Sequence, residues 1–217
     1  YWIVFPYLFG RGVTGENYLI YLITGIIPWT FFMTSVNMGT SSIKANGGII
    51  KKVYFPREII PLSQVLSGIV NFLISCLIII IFCIGTGTGL SYHVIAVFPI
   101  LIVQSLLTLG IALILSAVDV YVQDIENIVA FILNMLMYGT PIIYHLSQFS
   151  ASSAGILYKL ITINPLTTII GSYRNAFMYH QWPDFAALGL VFVFSLVVVI
   201  VGYIIFKKLE KGFAEEL

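Results

Sequence analysis

Five long apolar runs alternate with short polar segments along the 217 residues. In chain order the long runs cover about 18–43, 62–84, 93–117, 127–146 and 185–206. Runs of about 20 apolar residues with few charges are typical of membrane-spanning helices. A shorter apolar stretch, about 1–9, cannot cross a bilayer alone, and we interpret it as the end of a truncated first span. The pattern predicts an all-α membrane protein, a polytopic bundle of about six transmembrane helices forming one domain over 1–217.

Composition supports a membrane protein and argues against an enzyme. Charged residues make up 9% of the chain, whereas soluble domains carry about 25%. The chain has no glycine-rich nucleotide loop and no nucleophile–base pairing, so it is not expected to catalyse a reaction. Its two cysteines, Cys76 and Cys83, lie too far apart on one helix for a disulfide. No Cys/His cluster has metal-ligand spacing, so no metal site is predicted.

The predicted spans contain amides but no carboxylate at mid-helix, unlike most ion-coupled transporters. Such amides usually form hydrogen bonds between helices, and we favour that interpretation over a transport path. The four amides are Asn37, Asn71, Gln104 and Asn134. The chain therefore has the pattern of a transport body without its own motor.

The distribution of positive charge predicts the orientation, because Lys and Arg accumulate on cytoplasmic loops. Seven of the ten basic residues flank the loop at about 46–61 or follow the last span. They are Lys44, Lys51, Lys52, Arg57, Lys207, Lys208 and Lys211. Alternation of the five spans puts the loop and the C-terminus on the same side. Both are predicted to be cytoplasmic.

The outer segment, about 145–184, is too long for a turn and too polar to span the membrane. Asn164 followed by Pro165 is a helix-start signal, and we expect short re-entrant helices here. They could be a lid on the bundle or an outer gate. Pro141 should break the preceding helix. We expect Arg174 to reach either lipid phosphate or a polar conduit, near the mouth of the channel.

The loop between the first two complete spans carries an unusual concentration of charge. It predicts a short amphipathic helix that ends at Pro56. Anchoring on anionic lipid would explain its lysines. The aromatic residues and the Pro-Arg-Glu step that follow suggest instead a contact with another protein.

Four segments of the chain resemble the membrane subunit of ABC-2 type exporters, in the branch that moves polysaccharides and polyol phosphates. They are "IIKKVYFPREIIPLS" (49–63), "DVYVQDIENI" (119–128), "YGTPIIY" (138–144) and "NPLTTIIGSYRNAF" (164–177). The resemblance implies a homodimeric permease in the bacterial cytoplasmic membrane that works with two copies of an ATP-binding subunit. ATP and Mg²⁺ would bind that partner, and no cofactor would bind this chain.

The resemblance also implies roles for particular residues. The cytoplasmic loop would be a coupling helix docked on the ATP-binding subunit through Lys51, Lys52, Tyr54, Phe55, Pro56, Arg57 and Glu58. Aromatic side chains suit sugar rings, and Trp2, Tyr7 and Trp29 are candidates for the channel, although aromatic belts mark any membrane interface. The expected cargo is a lipid-linked cell-surface polymer, with wall teichoic acid favoured over O-antigen or capsule. A passive channel or structural membrane subunit without an ATPase is the competing hypothesis.

Overall fold

The computed structural model of the chain describes residues 18–52, 55–85, 87, 89–122, 124–145 and 155–216. The helices are α1 (Tyr18–Ala45), α2 (Gly47–Ile50), α3 (Ile59–Gly85), α4 (Val97–Asp119), α5 (Ile125–Tyr138), α6 (Gly155–Ile163), α7 (Pro165–Arg174), α8 (Phe185–Leu209) and α9 (Phe213–Glu216). A 3-10 turn (Tyr92–Ala96) leads into α4, and a π-helical turn (Asn175–Tyr179) follows α7. These elements confirm the prediction of an all-α polytopic membrane protein.

Within the part of the chain that the structure describes, four helices are long and apolar enough to cross a membrane: α1, α3, α4 with its 3-10 turn, and α8 with the residues that follow it. The fifth apolar run differs from the expected continuous span over 127–146. Helix α5 has 14 residues, which is about 21 Å of helix against a hydrocarbon core of about 30 Å. Its last residue, Tyr138, lies three positions before Pro141. Proline disfavours helical backbone at the preceding residue and lacks an N–H, so the predicted break is confirmed and the expected span is corrected.

Helix α1 lies at the centre of the bundle and packs against α3, α4, α5 and α7. Small residues allow the close approaches that membrane helices need in place of a hydrophobic driving force. A Cβ on Gly39 would lie 2.7 Å from the Cβ of Ala112 in α4. On the other side of α4, a Cβ on Gly110 would lie 2.7 Å from the backbone nitrogen of Val199 in α8. Helices α4 and α8 are therefore in backbone contact.

The two ends of the bundle differ in chemistry. A second hydrophobic cluster at one end includes Ile50, Phe206 and Phe213 and lies beside the basic residues of the loop and the C-terminus. At the other end, Tyr92, His93, Trp182 and Phe185 form a chain of ring contacts 4.1 to 6.1 Å apart. Lysines mark the cytoplasmic side of a membrane protein and exposed aromatic rings mark an interface, so the aromatic end is the outer one.

Candidate functional site

At the outer end, the chain leaves α5 and continues without helix through residues 139–145. Four successive carbonyl oxygens in this segment accept hydrogen bonds from three side chains. The donors and acceptors are Arg174 Nη1 to Pro141 O (2.6 Å), Arg174 Nη2 to Ile142 O (2.8 Å), Tyr18 Oη to Ile143 O (3.0 Å) and Tyr21 Oη to Tyr144 O (2.8 Å). We call this set of contacts the outer clamp. It gives side-chain donors to carbonyls that follow the end of α5, as backbone at membrane depth requires.

The guanidinium of Arg174 is the centre of the outer clamp. Arg174 is only 5% exposed, and its Cζ lies 3.5 Å from the centroid of the Tyr21 ring. Gly25 makes room for it, because a Cβ there would lie 2.7 Å from Nη2. In this structure the charge of Arg174 is satisfied inside the chain by carbonyl dipoles and a π face, and it contacts neither lipid nor an open conduit. A role at the mouth of the channel during transport remains a prediction.

Asn164 joins the outer clamp to the short helices. Its Oδ1 accepts a hydrogen bond from the backbone N–H of Leu166 (3.0 Å), and Pro165 occupies the start of α7. Its Nδ2 donates to Thr140 Oγ1 (3.0 Å), beside the break in α5. The helix start predicted from Asn-Pro is confirmed, with α6 and α7 as the short helices of the outer segment. Whether they act as a lid or a gate remains a prediction.

The aromatic channel candidates receive no support from the structure. Trp29 is 3% exposed and packs on Phe32, with ring centroids 5.8 Å apart, inside the main hydrophobic core. A polymer could not reach it, so its assignment to the channel is corrected. Trp2 and Tyr7 lie outside the described residues.

At the cytoplasmic end, the predicted amphipathic helix is the single turn α2, followed by the exposed Lys51 and Lys52. Phe55 is half-buried against the cluster around Phe213, and Pro56 is exposed. Tyr54 lies outside the described residues.

The next two residues of the loop contact the C-terminal segment, residues 207–213. Arg57 donates a hydrogen bond from Nη1 to the carbonyl oxygen of Glu210. Glu58 Oε2 forms an ion pair with Lys207 Nζ at 2.9 Å. Partial burial alone would raise the pKa of Glu58, but the hydrogen bond and charge of Lys207 outweigh it and lower that pKa. Docking of the loop on an ATP-binding subunit remains a prediction.

A third feature consists of two open cavities that follow each other along one face of α1, one against α5 and one against α3. We call the pair the polar groove for its polar lining, although apolar residues such as Ile27, Phe31 and Met38 also line it. Its cytoplasmic part, of about 320 Å³, is at the lower end of the size of small-molecule sites. On α1 the polar groove is lined by Thr30, Thr34, Asn37 and Ser41; α3 contributes Asn71 and Ser75, and α5 contributes Glu126 and Asn127. Apart from Glu126 at its end, these polar side chains are neutral hydroxyls and amides.

The interpretation of the span amides as contacts between helices holds for one of them. Gln104 is buried and donates from Nε2 to the carbonyl oxygen of Pro28 in α1 (2.8 Å). Asn37 and Asn71 line the polar groove, and Asn134 bonds to Ala130 in its own helix. The hydroxyl residues of the groove were missed, although the spacing 30, 34, 37, 41 places one helix face in line.

Helices of this arrangement, with a basic loop at one end and a broken helix at the other, define a polytopic membrane transport subunit. The chain belongs to the ABC-2 type transporter family, whose model matches residues 1–178. It is a multi-pass protein of the bacterial inner membrane. Members of this family work with an ATP-binding subunit.

Similar proteins are named as permeases and transport proteins for polysaccharides. The chain is 35% identical over 202 residues to an O-antigen export system permease protein RfbA of Klebsiella pneumoniae, covering 93% of this chain and 76% of that one. It is 29% identical over 201 residues to the RfbA of Myxococcus xanthus, with the same coverage. It is 21% identical over 214 residues to the polysialic acid transport protein KpsM of Escherichia coli, covering 96% and 80%. These findings confirm the resemblance to the polysaccharide-exporting branch.

Proposed function

We propose that this chain is the membrane subunit of an ATP-driven exporter that moves a lipid-linked polysaccharide of the O-antigen or capsule class across the cytoplasmic membrane. The observation that carries the proposal is the polar groove. The relatives named for O-antigen and polysialic acid support the class of cargo. The expected preference for wall teichoic acid has no such support. The alternatives, O-antigen and capsular polysaccharide, agree better with the named relatives.

The position of the polar groove argues against lipid as its neighbour. Thr30, Thr34 and Asn71 are exposed within helices that cross the membrane. Polar side chains in hydrocarbon are costly, so exposed polar groups at this depth are more stable with water, cargo or another polar surface opposite. Next to Asn71 on α3, exposed apolar side chains have the composition expected of a lipid-facing surface, with Val70 57% exposed and Ile74 58% exposed.

The chemistry of the polar groove suits a polyhydroxylated chain. Hydroxyl and amide groups both donate and accept hydrogen bonds, so they can exchange partners with sugar hydroxyls as the polymer advances. Because the polar groove has few charged side chains, no single position in it is expected to bind the cargo strongly. A second copy of the permease, with its own polar groove facing the first across a two-fold axis, would enclose a conduit that one copy leaves open.

The energy for export would come from a separate subunit that binds ATP and Mg²⁺. The sequence has no phosphate-binding loop of the usual pattern, and the exposed Lys51 and Lys52 next to α2 offer a basic docking surface. The passive-channel hypothesis lacks a comparable argument, because the family works with an ATP-binding subunit.

Deletion of the gene in its source bacterium, followed by complementation, tests this function. Loss of the permease should remove the polysaccharide from the cell surface and leave lipid-linked polymer inside. Chemical analysis of the retained polymer separates sugar chains from polyol phosphates. Retained polyol phosphate would return the assignment to teichoic acid, and an unchanged surface would contradict export altogether.

Groove variants sharpen the same experiment. Asn71→Leu should lower surface polysaccharide by about tenfold, because it removes hydrogen-bonding partners from the path. The matched control is Val70→Leu, at the exposed apolar residue that precedes Asn71 on α3, which should export normally. Equal export by the two variants at equal protein level would count against the polar groove as the path.

A further inference from the structure

We propose that the C-terminal segment, residues 207–213, is a mechanical link between the cytoplasmic loop and α8, and that Arg57 and Glu58 are positioning residues for this link rather than contacts with the ATP-binding subunit. The inference rests on the proposed function. It assigns to the C-terminal segment a role in transmitting ATP-driven movement, and it moves two residues of the loop from the partner interface to an internal contact.

The first contact of the link is electrostatic. Lys207 Nζ lies 2.9 Å from Glu58 Oε2 and 3.1 Å from Glu210 Oε2, so one ammonium group joins the loop to the turn after α8. All three side chains are only partly exposed. Glu58 is therefore already paired within this chain, and docking it on another protein would require breaking that pair.

The second contact involves Arg57. Its guanidinium donates to the carbonyl oxygen of Glu210 in the turn after α8. The same carbonyl also accepts the backbone N–H of Phe213. Its Cζ also lies 5.8 Å from the centroid of the Phe213 ring, which is within cation–π range. Arg57 and Glu58 thus hold adjacent points of the same C-terminal segment.

The third contact fixes the C-terminal segment to the bundle. Phe213 is fully buried and packs edge-on against Phe206, with ring centroids 5.6 Å apart. The hydroxyl of Tyr121, in the turn after α4, donates to the carbonyl oxygen of Leu209 (2.7 Å). Gly212 allows this approach, because a Cβ there would lie 2.4 Å from the Tyr121 hydroxyl oxygen. The loop, the end of α4 and the end of α8 therefore meet at one place.

This arrangement gives the loop a route into the bundle besides the two helices that flank it. Helices α1 and α3 are joined to the loop through the chain itself. Arg57 and Glu58 add polar contacts from the loop to the end of α8 and the turn that follows it. Because α8 contacts α4 backbone to backbone at Gly110, a displacement of the loop would move both helices. The exposed Lys51 and Lys52 are left as the surface for the ATP-binding subunit.

A charge-swap cycle at Glu58 and Lys207 tests the link in the full permease and in its complex with the ATP-binding subunit. Glu58→Lys or Lys207→Glu alone should lower export by about tenfold, and the double variant should recover to within about twofold of wild type. Lys208→Glu is the matched control, since it makes the same charge change at an exposed neighbour without an ion pair in the described structure, and it should have no effect.

Two further measurements separate a link from a merely structural contact. In the purified permease alone, each single swap should lower the melting temperature by about 2 °C and the pair should restore it. In the assembled complex, Phe213→Ala should leave ATP hydrolysis running while polysaccharide export falls, which raises the ATP consumed per polymer exported. Two outcomes would overturn the inference and return Glu58 to the partner interface. One is an equal loss of ATP hydrolysis and export in Phe213→Ala. The other is a Glu58→Lys/Lys207→Glu double variant that is as defective as Glu58→Lys. A wild-type complex that hydrolyses ATP but moves no polysaccharide would overturn the proposed function alone. The melting temperatures of the charge-swap variants test the contact between Glu58 and Lys207 without any cargo.

Discussion

Two arginines, one at each end of the bundle, hold backbone carbonyls in different ways. Arg174 at the outer end is buried, donates to two successive carbonyls and lies 3.5 Å from an aromatic ring centroid. Arg57 at the cytoplasmic end is half-buried, donates to one carbonyl and lies 5.8 Å from its ring. Electrostatic contacts are stronger where water is excluded. The outer clamp is therefore a permanent part of the fold, whereas the cytoplasmic contact can be remade at low cost.

This difference has a consequence for export. The buried carbonyls of Pro141 and Ile142 have Arg174 as their donor, so breaking that contact during transport would be costly. The loop near Arg57 lies where a partner would push. Movement is expected to begin at the cytoplasmic end and to leave the outer clamp intact.

The largest effect is expected from removing the buried guanidinium. Arg174→Ala leaves two buried carbonyls without donors and removes the contact with Tyr21, which costs about 3–5 kcal/mol. The variant should give little folded protein in fluorescence-detected size-exclusion chromatography. Lys159→Ala, which removes an exposed positive charge from α6 on the same side, should behave as wild type. A folded Arg174→Ala that lost export only of anionic polymers would instead support the conduit role we expected for Arg174.

A smaller effect should follow when the guanidinium is displaced but kept. In Gly25→Ala the new methyl group would lie within 2.7 Å of Arg174 Nη2, and such overpacking costs about 1–3 kcal/mol. The melting temperature should fall by several degrees. Gly171→Ala is the control, because nothing lies within 4 Å of its added Cβ, and alanine there should be neutral or slightly stabilising. If both glycines tolerate alanine equally, the outer clamp is more adaptable than we infer.

Arg57→Ala should affect stability less than either change at the outer end. A partly exposed hydrogen bond to one carbonyl contributes about 1 kcal/mol, so the variant should fold and reach the membrane at the normal level. Its export of polysaccharide should nevertheless fall. Comparing protein level with surface polysaccharide in one strain measures both, and a variant that is as unstable as Arg174→Ala would remove the distinction between the two ends.

The smallest expected effect is the pH dependence of the Glu58 ion pair. Because the pKa of Glu58 is lowered in the folded protein from its ordinary value of 4.5, the pair stabilises the fold fully above that value. The contribution is lost as pH falls through the lowered folded pKa. The melting temperatures of wild type and Glu58→Gln should therefore differ at neutral pH and converge once the pH falls below the lowered pKa of Glu58. A constant difference down to pH 3 would show that Glu58 acts through packing rather than charge.

Four of the five long spans and the helix start at Asn164 could be predicted from the sequence, because apolar runs and Asn-Pro each act locally. The burial of Arg174 could not be predicted, because the carbonyl groups that it contacts lie more than 30 residues earlier in the chain. Trp29 was misassigned for a similar reason: an aromatic side chain in an apolar helix looks the same in sequence whether it faces the core or a channel. The spacing of the polar residues on α1 predicts that they share one helix face. It does not predict whether that face contacts lipid, water, cargo or another chain.

Photocrosslinking from the polar groove tests the central claim most directly. A photoreactive phenylalanine analogue at Thr34 and, as the control, at Val70 is irradiated in cells while the polymer is being exported. The proposed conduit predicts that glycan-bearing material is attached to the permease at position 34 and that only lipid is attached at position 70. Lipid alone at both positions, in a strain that still displays its polysaccharide, would contradict passage of the polymer along this face of α1.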